Sequence, residues 1–359
     1  MAAQLDILAL EPFYGGPRRA MLETLFRGSR HRWTLLKLPP RRMERRLSAA
    51  AHWFAEQLSR HWIGRVDLLF TSEALNLADF YRLMPSLASK PSVVYFHDDQ
   101  LPLPGQGRDE KNEIVNLSTG AAATELWFNS EYHFHSFLNK ATAIVERHPE
   151  LAGHNPVTTL RKKSRLMFPP ADLNLAQVLQ EQHPVPREAR NLFVDTRDSD
   201  CALLNTAFER LLQRGENFQL VTVGPVESLA PGLVRSAIPE ADETAVVRAM
   251  LQCGVIVSAK AEANADYRLV MAIAAGCWPV VPNSAVYPEI IPDTLHEFCL
   301  HDLTPQEVAF RIDDFWHLEM TAAQRKSLMD SAQRFNAITC CRAMDDRLTE
   351  LAASGIAKP

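Results

Sequence analysis

The stretch Gly254-Val-Ile-Val-Ser-Ala-Lys-Ala-Glu-Ala-Asn-Ala-Asp-Tyr-Arg-Leu-Val-Met-Ala-Ile-Ala-Ala-Gly-Cys-Trp-Pro-Val-Val-Pro282 decides the fold. Val255, Ile256 and Val257 form a short β-branched run of the kind found in buried strands, and a loop of small residues follows. Leu269, Val270, Ile273 and Ala274 fall at helical spacing, and Gly276 stands where a helix stops in a left-handed residue. Pro279-Val-Val-Pro282 then reads as the next buried strand, with Tyr287-Pro-Glu-Ile-Ile291 leaving the same edge. Strand, loop, helix, strand is the repeating unit of a parallel α/β sheet. Its strand-to-helix turns turn backbone N–H groups toward solvent, which suits an anionic ligand.

The same unit recurs in both directions. Toward the N-terminus, strands are expected at Leu5–Leu10, Trp33–Leu38, Val66–Phe70, Val93–Phe96, Glu125–Asn129 and Leu166–Phe168. A second series begins at Asn191–Val194 and continues with Phe218–Gly224. Between the two series, Pro169-Pro170 and a polar stretch with Pro184 and Pro186 read as a linker. The expected organisation is therefore a first α/β domain over 1–170, a linker over 171–190 and a second α/β domain over 191–335. A helix over 336–359 is expected to pack back toward the first domain.

Composition sets the outer bounds. A chain of 359 residues accommodates two cores, and 47% hydrophobic with 23% charged residues is ordinary for a globular protein. No apolar run approaches the ~20 residues of a membrane span, and no signal peptide is evident. The six cysteines show no CxxC pair and no metal spacing, so reduced thiols and a cytoplasmic location are expected. A net charge of -5 argues against generalised nucleic-acid binding but leaves room for a local basic face. Arg41, Arg42, Arg45 and Arg46 supply one: either they hold phosphates along a polyanion, or they form a solvated helix start. Arginines in a first helical turn oppose the helix dipole, which calls for a reason of the first kind.

Candidate site residues lie just past the strands, where open α/β sheets bind ligands. Gly15 and Gly16, after the first strand, let backbone come close to a ligand. His97, directly past the fourth strand, is expected to point outward and donate to a sugar hydroxyl or a diphosphate oxygen. The neighbouring pair Asp98-Asp99 is a poor metal site, since adjacent carboxylates diverge and no third ligand is apparent. Arg197 follows the first strand of the second series and is placed to pair with a diphosphate. Asp198-Ser-Asp200 spells DxD, a pattern that helix caps reproduce as readily as metal-dependent transferases.

Taken in order, these motifs resemble the tRNA-queuosine α-mannosyltransferase family. Glu11-Pro-Phe-Tyr-Gly-Gly16 resembles its E-x-F-Y-G-G, and Tyr95-Phe-His-Asp-Asp-Gln-Leu101 resembles Y-F-H-E-N-Q-L. Leu75-Asn-Leu77, Phe128-Asn-Ser130, Ser136-Phe-Leu138 and Met167-Phe-Pro169 follow suit. In the second half, Gly276-Cys-Trp-Pro279 and Val286-Tyr-Pro-Glu-Ile290 resemble G-C-Y-P and V-Y-P-E-I. The resemblance implies a GT-B fold: two facing Rossmann-like domains with parallel sheets and a cleft between them. It implies a retaining transferase that moves mannose from GDP-mannose to queuosine in tRNA, with no cofactor and no metal. His97 would sit against the sugar and diphosphate, Gly15 and Gly16 would face the reaction centre, and Glu289 would lie near the donor. Glu11, Tyr14, Asp98, Gln100 and Asn129 would join the four arginines on the acceptor side.

Departures from the family concentrate at the donor. Pro17-Arg18 replace the last two residues of its G-G-S-H. Asp198 and Cys201 stand where a tryptophan and a lysine follow the family's arginine, matched here by Arg197. The family's two glutamates, eight apart, align near Glu262, and the second falls on Val270 or Met271. Lys260 or Arg268 could replace the lost cation. Two readings follow: a glycosyltransferase with an altered donor site, or a catalytically inactive paralogue acting as an RNA-binding or regulatory module. An active transferase with another donor or acceptor is a third. The oligomeric state is not encoded in any of these patterns.

Overall fold

The computed structural model describes residues 4–61, 64–101, 110–148, 156–197, 199–224, 229, 233–239, 242–318 and 320–354. The chain divides into two compact units, Met1–Pro170 with Ile338–Pro359, and Ala171–Ala337.

In the first unit the strands are β1 (Asp6–Glu11), β2 (Arg32–Lys37), β3 (Leu68–Ser72), β4 (Ser92–Phe96), β5 (Glu125–Phe128) and β6 (Ser164–Leu166). They lie in the order β2-β1-β3-β4-β5-β6, all parallel. The central strands are buried along their whole length, as a sheet covered on both faces requires. Alternate residues feed two apolar clusters. Leu69, Val94 and Phe96 pack with Phe54, Phe80 and Phe137 from helices Met43–Arg60, Leu77–Leu83 and Glu131–Arg147. Leu68, Phe70, Val93 and Tyr95 pack with Leu22 and Leu25 from helix Gly16–Gly28. Cys341, Met344, Leu348 and Leu351, from helix Ala337–Ala353, complete that second cluster. Polar contacts fasten this last helix: Asp345 accepts from the Ser29 hydroxyl at 2.6 Å, and Arg347 grips Glu125.

In the second unit β7 (Glu188–Asp195), β8 (Gln219–Val223), β9 (Val234–Ile238), β10 (Cys253–Val257), β11 (Trp278–Pro282) and β12 (Leu300–His301) lie in the order β12-β11-β10-β7-β8-β9. All pairings are parallel here too. Residues 254–282 fold as their pattern dictates: β10, helix Tyr267–Ala274, then β11. Asp266 caps the helix by accepting the Leu269 N–H at 2.9 Å. At the other end Gly276 takes φ +88°, and the Cys277 N–H returns to the Ala272 carbonyl.

One expectation needs correction, and two elements were not foreseen. Residues 171–190 are not a linker but open the second unit. Ala171 pairs with Asn336, residues Asn174–Gln182 form a helix with Ala176 and Leu179 buried, and β7 begins at Glu188. The prolines and the exposed Glu188–Arg190 segment hide this, because the strand runs three exposed residues beyond its buried part. β9 and the two-residue β12 are edge strands whose weak apolar pattern gives no sequence signal. The Pro/Gly segment 102–107 lies outside the described residues.

Two glycines in the defining stretch separate backbone crowding from backbone conformation. A Cβ on Gly254 would lie 2.4 Å from the Ala189 carbonyl oxygen on β7, where the β7–β10 register shifts. A Cβ on Gly276 would meet only the Arg187 guanidinium, at 2.9 Å, but in a left-handed conformation. Gly276→Ala should therefore cost about 1–2 kcal/mol. Gly254→Ala, which must push a central strand aside, should cost about 3 kcal/mol or more. Urea midpoints of the two variants check the order.

Candidate functional site

In each unit the chemistry-bearing residues gather at the C-terminal edge of the sheet, and each unit is described by itself. In the first unit β1 ends in Glu11, β3 is followed by Glu73, β4 by His97 and β5 by Asn129. Because the strands are parallel, these ends share one edge.

Two buried carboxylates meet one buried arginine there. Arg18, in the first turn of helix Gly16–Gly28, binds both oxygens of Glu73, with Nη1–Oε2 at 3.1 Å. Glu11 accepts the Phe13 N–H at 2.7 Å and the Ser72 hydroxyl at 3.1 Å. Burial pushes the Glu11 carboxyl up to about 6, although Arg18 and these hydrogen bonds pull it back. Burial disfavours the Arg18 charge, but Glu73 and Glu11 more than offset this and raise its pKa. Glu11 is thus a buried member of a charge network and not an exposed acceptor contact.

His97 is held by its backbone. Its N–H donates to Glu73 Oε2 at 3.1 Å, and its carbonyl accepts from Asn129 Nδ2 at 2.8 Å. Its ring packs against Tyr95, and Nε2 is buried without a hydrogen-bond partner. Burial, then the charge of Arg18, hold the imidazole well below its usual pKa, so it is neutral. Asn129, expected on the acceptor side, is only 3% exposed and satisfied at both ends, since His133 Nδ1 donates to its Oδ1 at 2.8 Å. It is a support for His97 and not a ligand-facing group. Asp98 and Asp99 diverge: Asp98 is exposed, while Asp99 is buried and accepts from Lys140 at 3.0 Å. The Gln100 N–H donates to Asn116, and the Tyr14 hydroxyl donates to Glu23 at 2.9 Å while Lys37 stacks on its ring.

The glycines serve the loop before any ligand. A Cβ on Gly15 would lie 2.4 Å from Pro40 Cγ, so the close approach Gly15 permits is to Pro40. That contact brings the arginine cluster beside the same loop. Arg41, Arg42 and Arg45 are exposed, whereas Arg46 turns back to donate to the Pro39 carbonyl at 3.0 Å.

In the second unit Asp195, at the end of β7, gathers two cations. Arg197 Nε and Nη2 donate to its two oxygens at 2.8 and 2.6 Å, and Lys260 Nζ, past β10, reaches Oδ2 at 3.4 Å. Burial raises the Asp195 pKa, but Arg197 and Lys260 win and hold it below the usual range. Beside them Tyr287 donates to Asp266 Oδ2 at 3.1 Å, with Ser258 Oγ 3.1 Å from the phenol oxygen.

Not all expected donor residues join this group. Arg268, a candidate replacement for the lost phosphate cation, is 6% exposed and paired with Glu243 at 2.7 Å. At the first turn of helix Tyr267–Ala274, where an anion was expected, Asp266 already accepts the Leu269 N–H. Glu262 is exposed, and the Glu289 carbonyl accepts from Arg334. Asp198 lies outside the described residues. Among the described residues the one acid–histidine group close enough for a metal is Glu216, Asp313 and His317, away from these residues in sequence and partly engaged by Arg190 and Arg214.

Sequence reasoning missed Arg18, Glu73, Asp195, Asp266 and Tyr287. A signal existed for Asp195 and Glu73, each an acid directly at the end of an apolar strand. Arg18 offered none, because its partner is 55 residues away.

Residues 6–171 match the family model described as tRNA-queuosine alpha-mannosyltransferase N-terminal. A tRNA-queuosine alpha-mannosyltransferase of Drosophila melanogaster is 26% identical over 318 residues, covering 81% of this chain and 82% of that protein. Among solved structures, Anabaena HepE in complex with UDP and glucose superposes with a TM-score of 0.68 at 15% identity, covering 97% of this chain and all of that one. Sucrose-phosphate synthase of Thermosynechococcus elongatus gives 0.66 at 15% identity, covering 98% of this chain and 100% of that chain. The fold is accordingly that of the GT-B glycosyltransferases.

The buried acids predict a pH effect on stability. The folded state keeps the Glu11 proton up to about pH 6, whereas the unfolded chain releases it near 4.5. Stability should therefore fall as pH rises through that window, by about 2 kcal/mol in all. Glu11→Gln retains the acceptor oxygen and should remove this component, as urea midpoints at pH 4.5 and 7.5 would register.

Proposed function

We propose that this chain, whose residues 6–171 match the tRNA-queuosine alpha-mannosyltransferase N-terminal model, is a glycosyltransferase that moves a hexose from a nucleotide sugar to queuosine in tRNA. The donor we favour is GDP-mannose, with retention at the anomeric carbon, no metal, and a cytoplasmic site of action. Free thiols at all six cysteines accord with a reducing compartment. No described helix is long and apolar enough to cross a membrane.

The observation that carries this reading is the convergence of Arg197 and Lys260 on Asp195. An arginine and a lysine are held together, partly buried, by one carboxylate past two neighbouring strands. A diphosphate entering there competes with Asp195 for both cations. As the sugar bond breaks, negative charge grows on the leaving phosphate, and preorganised cations stabilise it more than they stabilise the ground state. Lys260 supplies from the β10 loop the positive charge lost after Arg197. In the first unit neutral His97 orients the sugar through Nε2, and exposed Arg41, Arg42 and Arg45 meet the acceptor's phosphates.

The withdrawal of Arg268 to Glu243 and the acid at the start of helix Tyr267–Ala274 favour a second reading, an RNA-binding module without donor turnover. Calorimetry with nucleotide sugars separates the two, since a module of that kind gives no heat with any donor.

Incubation of queuosine-containing tRNA with a panel of nucleotide sugars should add one hexose mass, unchanged by a chelator. No gain with any donor overturns the enzyme reading. Arg197→Gln or Lys260→Met should each lower kcat by about 10²–10³-fold. Replacing Arg41, Arg42 and Arg45 should lower this gain, and a gain unchanged by the replacement would show that these arginines do not hold the tRNA.

A further inference from the structure

Arg18 has no counterpart in the motif it interrupts, yet it is one of the few buried charges of the first unit. Its guanidinium spans both oxygens of Glu73, and one of those oxygens, Oε2, is the same atom that accepts the His97 N–H at 3.1 Å. The Glu73 carbonyl is itself fixed by Asn116 Nδ2 at 3.3 Å. The other side of the His97 peptide is held by Asn129, which His133 fixes in turn.

We infer that Arg18 is a positioning residue for His97: acting through Glu73, it fixes where the imidazole presents its buried, unpartnered Nε2. This rests on the reading above, in which His97 touches the transferred sugar. A carboxylate with two rotatable torsions beyond its Cβ does not hold a peptide N–H in one place by itself. Clamped by a planar two-pronged donor, it does. The charge balance of the pocket is a second consequence. Glu11 and Glu73 face Arg18, and the positive charge of Arg18 adds to burial in opposing a proton on the His97 ring. A neutral imidazole can accept a hydrogen bond from a sugar hydroxyl at Nε2 or donate one to it, as its tautomer dictates. An imidazolium can only donate.

Arg18→Met alone would strand a buried carboxylate and threatens folding. The informative variant is the double Arg18→Met/Glu73→Gln, which keeps an acceptor for the His97 N–H while removing the clamp and both charges. Arg18→Lys is its conservative companion. The primary readout is the His97 imidazole, followed by nitrogen-15 NMR across pH 4.5–8 in the full chain, which needs no substrate. In the wild type the ring should take up its proton only well below the usual imidazole range. In the double variant its signals should shift, and its protonation should appear at higher pH. With a turned-over donor, kcat should fall by about 10²-fold with KM little changed, the cost of a misplaced reacting group, and Arg18→Lys should recover most of it. His97 signals and titration identical in the double variant and the wild type would overturn the inference, whatever the turnover. If no donor is turned over by the wild type, the functional reading fails while the NMR comparison still decides the role of Arg18.

Discussion

A charge buried at the end of a parallel strand must be matched on the spot, and this constraint shapes both units. Water cannot follow Glu73 or Asp195 into the sheet edge, so each carboxylate would cost several kcal/mol if left alone. Glu73 is met by Arg18 from the adjoining helix. Asp195 is met by Arg197 two residues on and by Lys260 from the neighbouring strand's loop. Such pairs add little net stability over apolar residues of the same shape. What they fix is position. In the first unit charge ties the segments that follow β1, β3 and β4 to one another, in the second unit it ties those that follow β7 and β10, and the site residues ride on those segments.

The arrangement has two layers. The strands themselves are apolar and buried on both faces, which sets the sheet and its direction. At or just beyond the ends of β1, β3, β4, β5 and β7 the chemistry changes to acids, a histidine and an asparagine. His97 shows both layers at once: Phe96 before it is fully buried, while its own peptide is held by side chains from β3 and β5. A strand register error of one residue would exchange those roles.

Most of the fold was legible in the chain because buried parallel strands announce themselves as short β-branched runs with glycine or an N-cap beyond them. The 254–282 segment is the clearest case, with strand, capped helix and glycine stop all spelled locally. Edge elements were illegible for the converse reason. β9 lies at the edge, β12 is only two residues long and β7 begins with three exposed residues, so local composition alone reads them as loop. The site divides along the same line. His97 and Arg197 stand at strand ends and could be picked out. The long-range pairs could not, since nothing local links Arg18 to Glu73, or Lys260 to Asp195, 65 residues apart. Arg268 could be offered as a donor cation because nothing local shows that its charge is taken by Glu243 on another helix.

Helix Ala337–Ala353 also has a bearing on how the protein is made. Its Met344, Leu348 and Leu351 finish the cluster begun by Leu22 and Leu25, more than three hundred positions earlier. A ribosome therefore releases the greater part of the first unit, and all of the second, before the missing apolar face has been synthesised. Until then the nascent sheet carries a greasy, uncovered side, the kind of surface that chaperones hold and that aggregates recruit. The second unit has no such dependence on the final segment and can close while its neighbour waits.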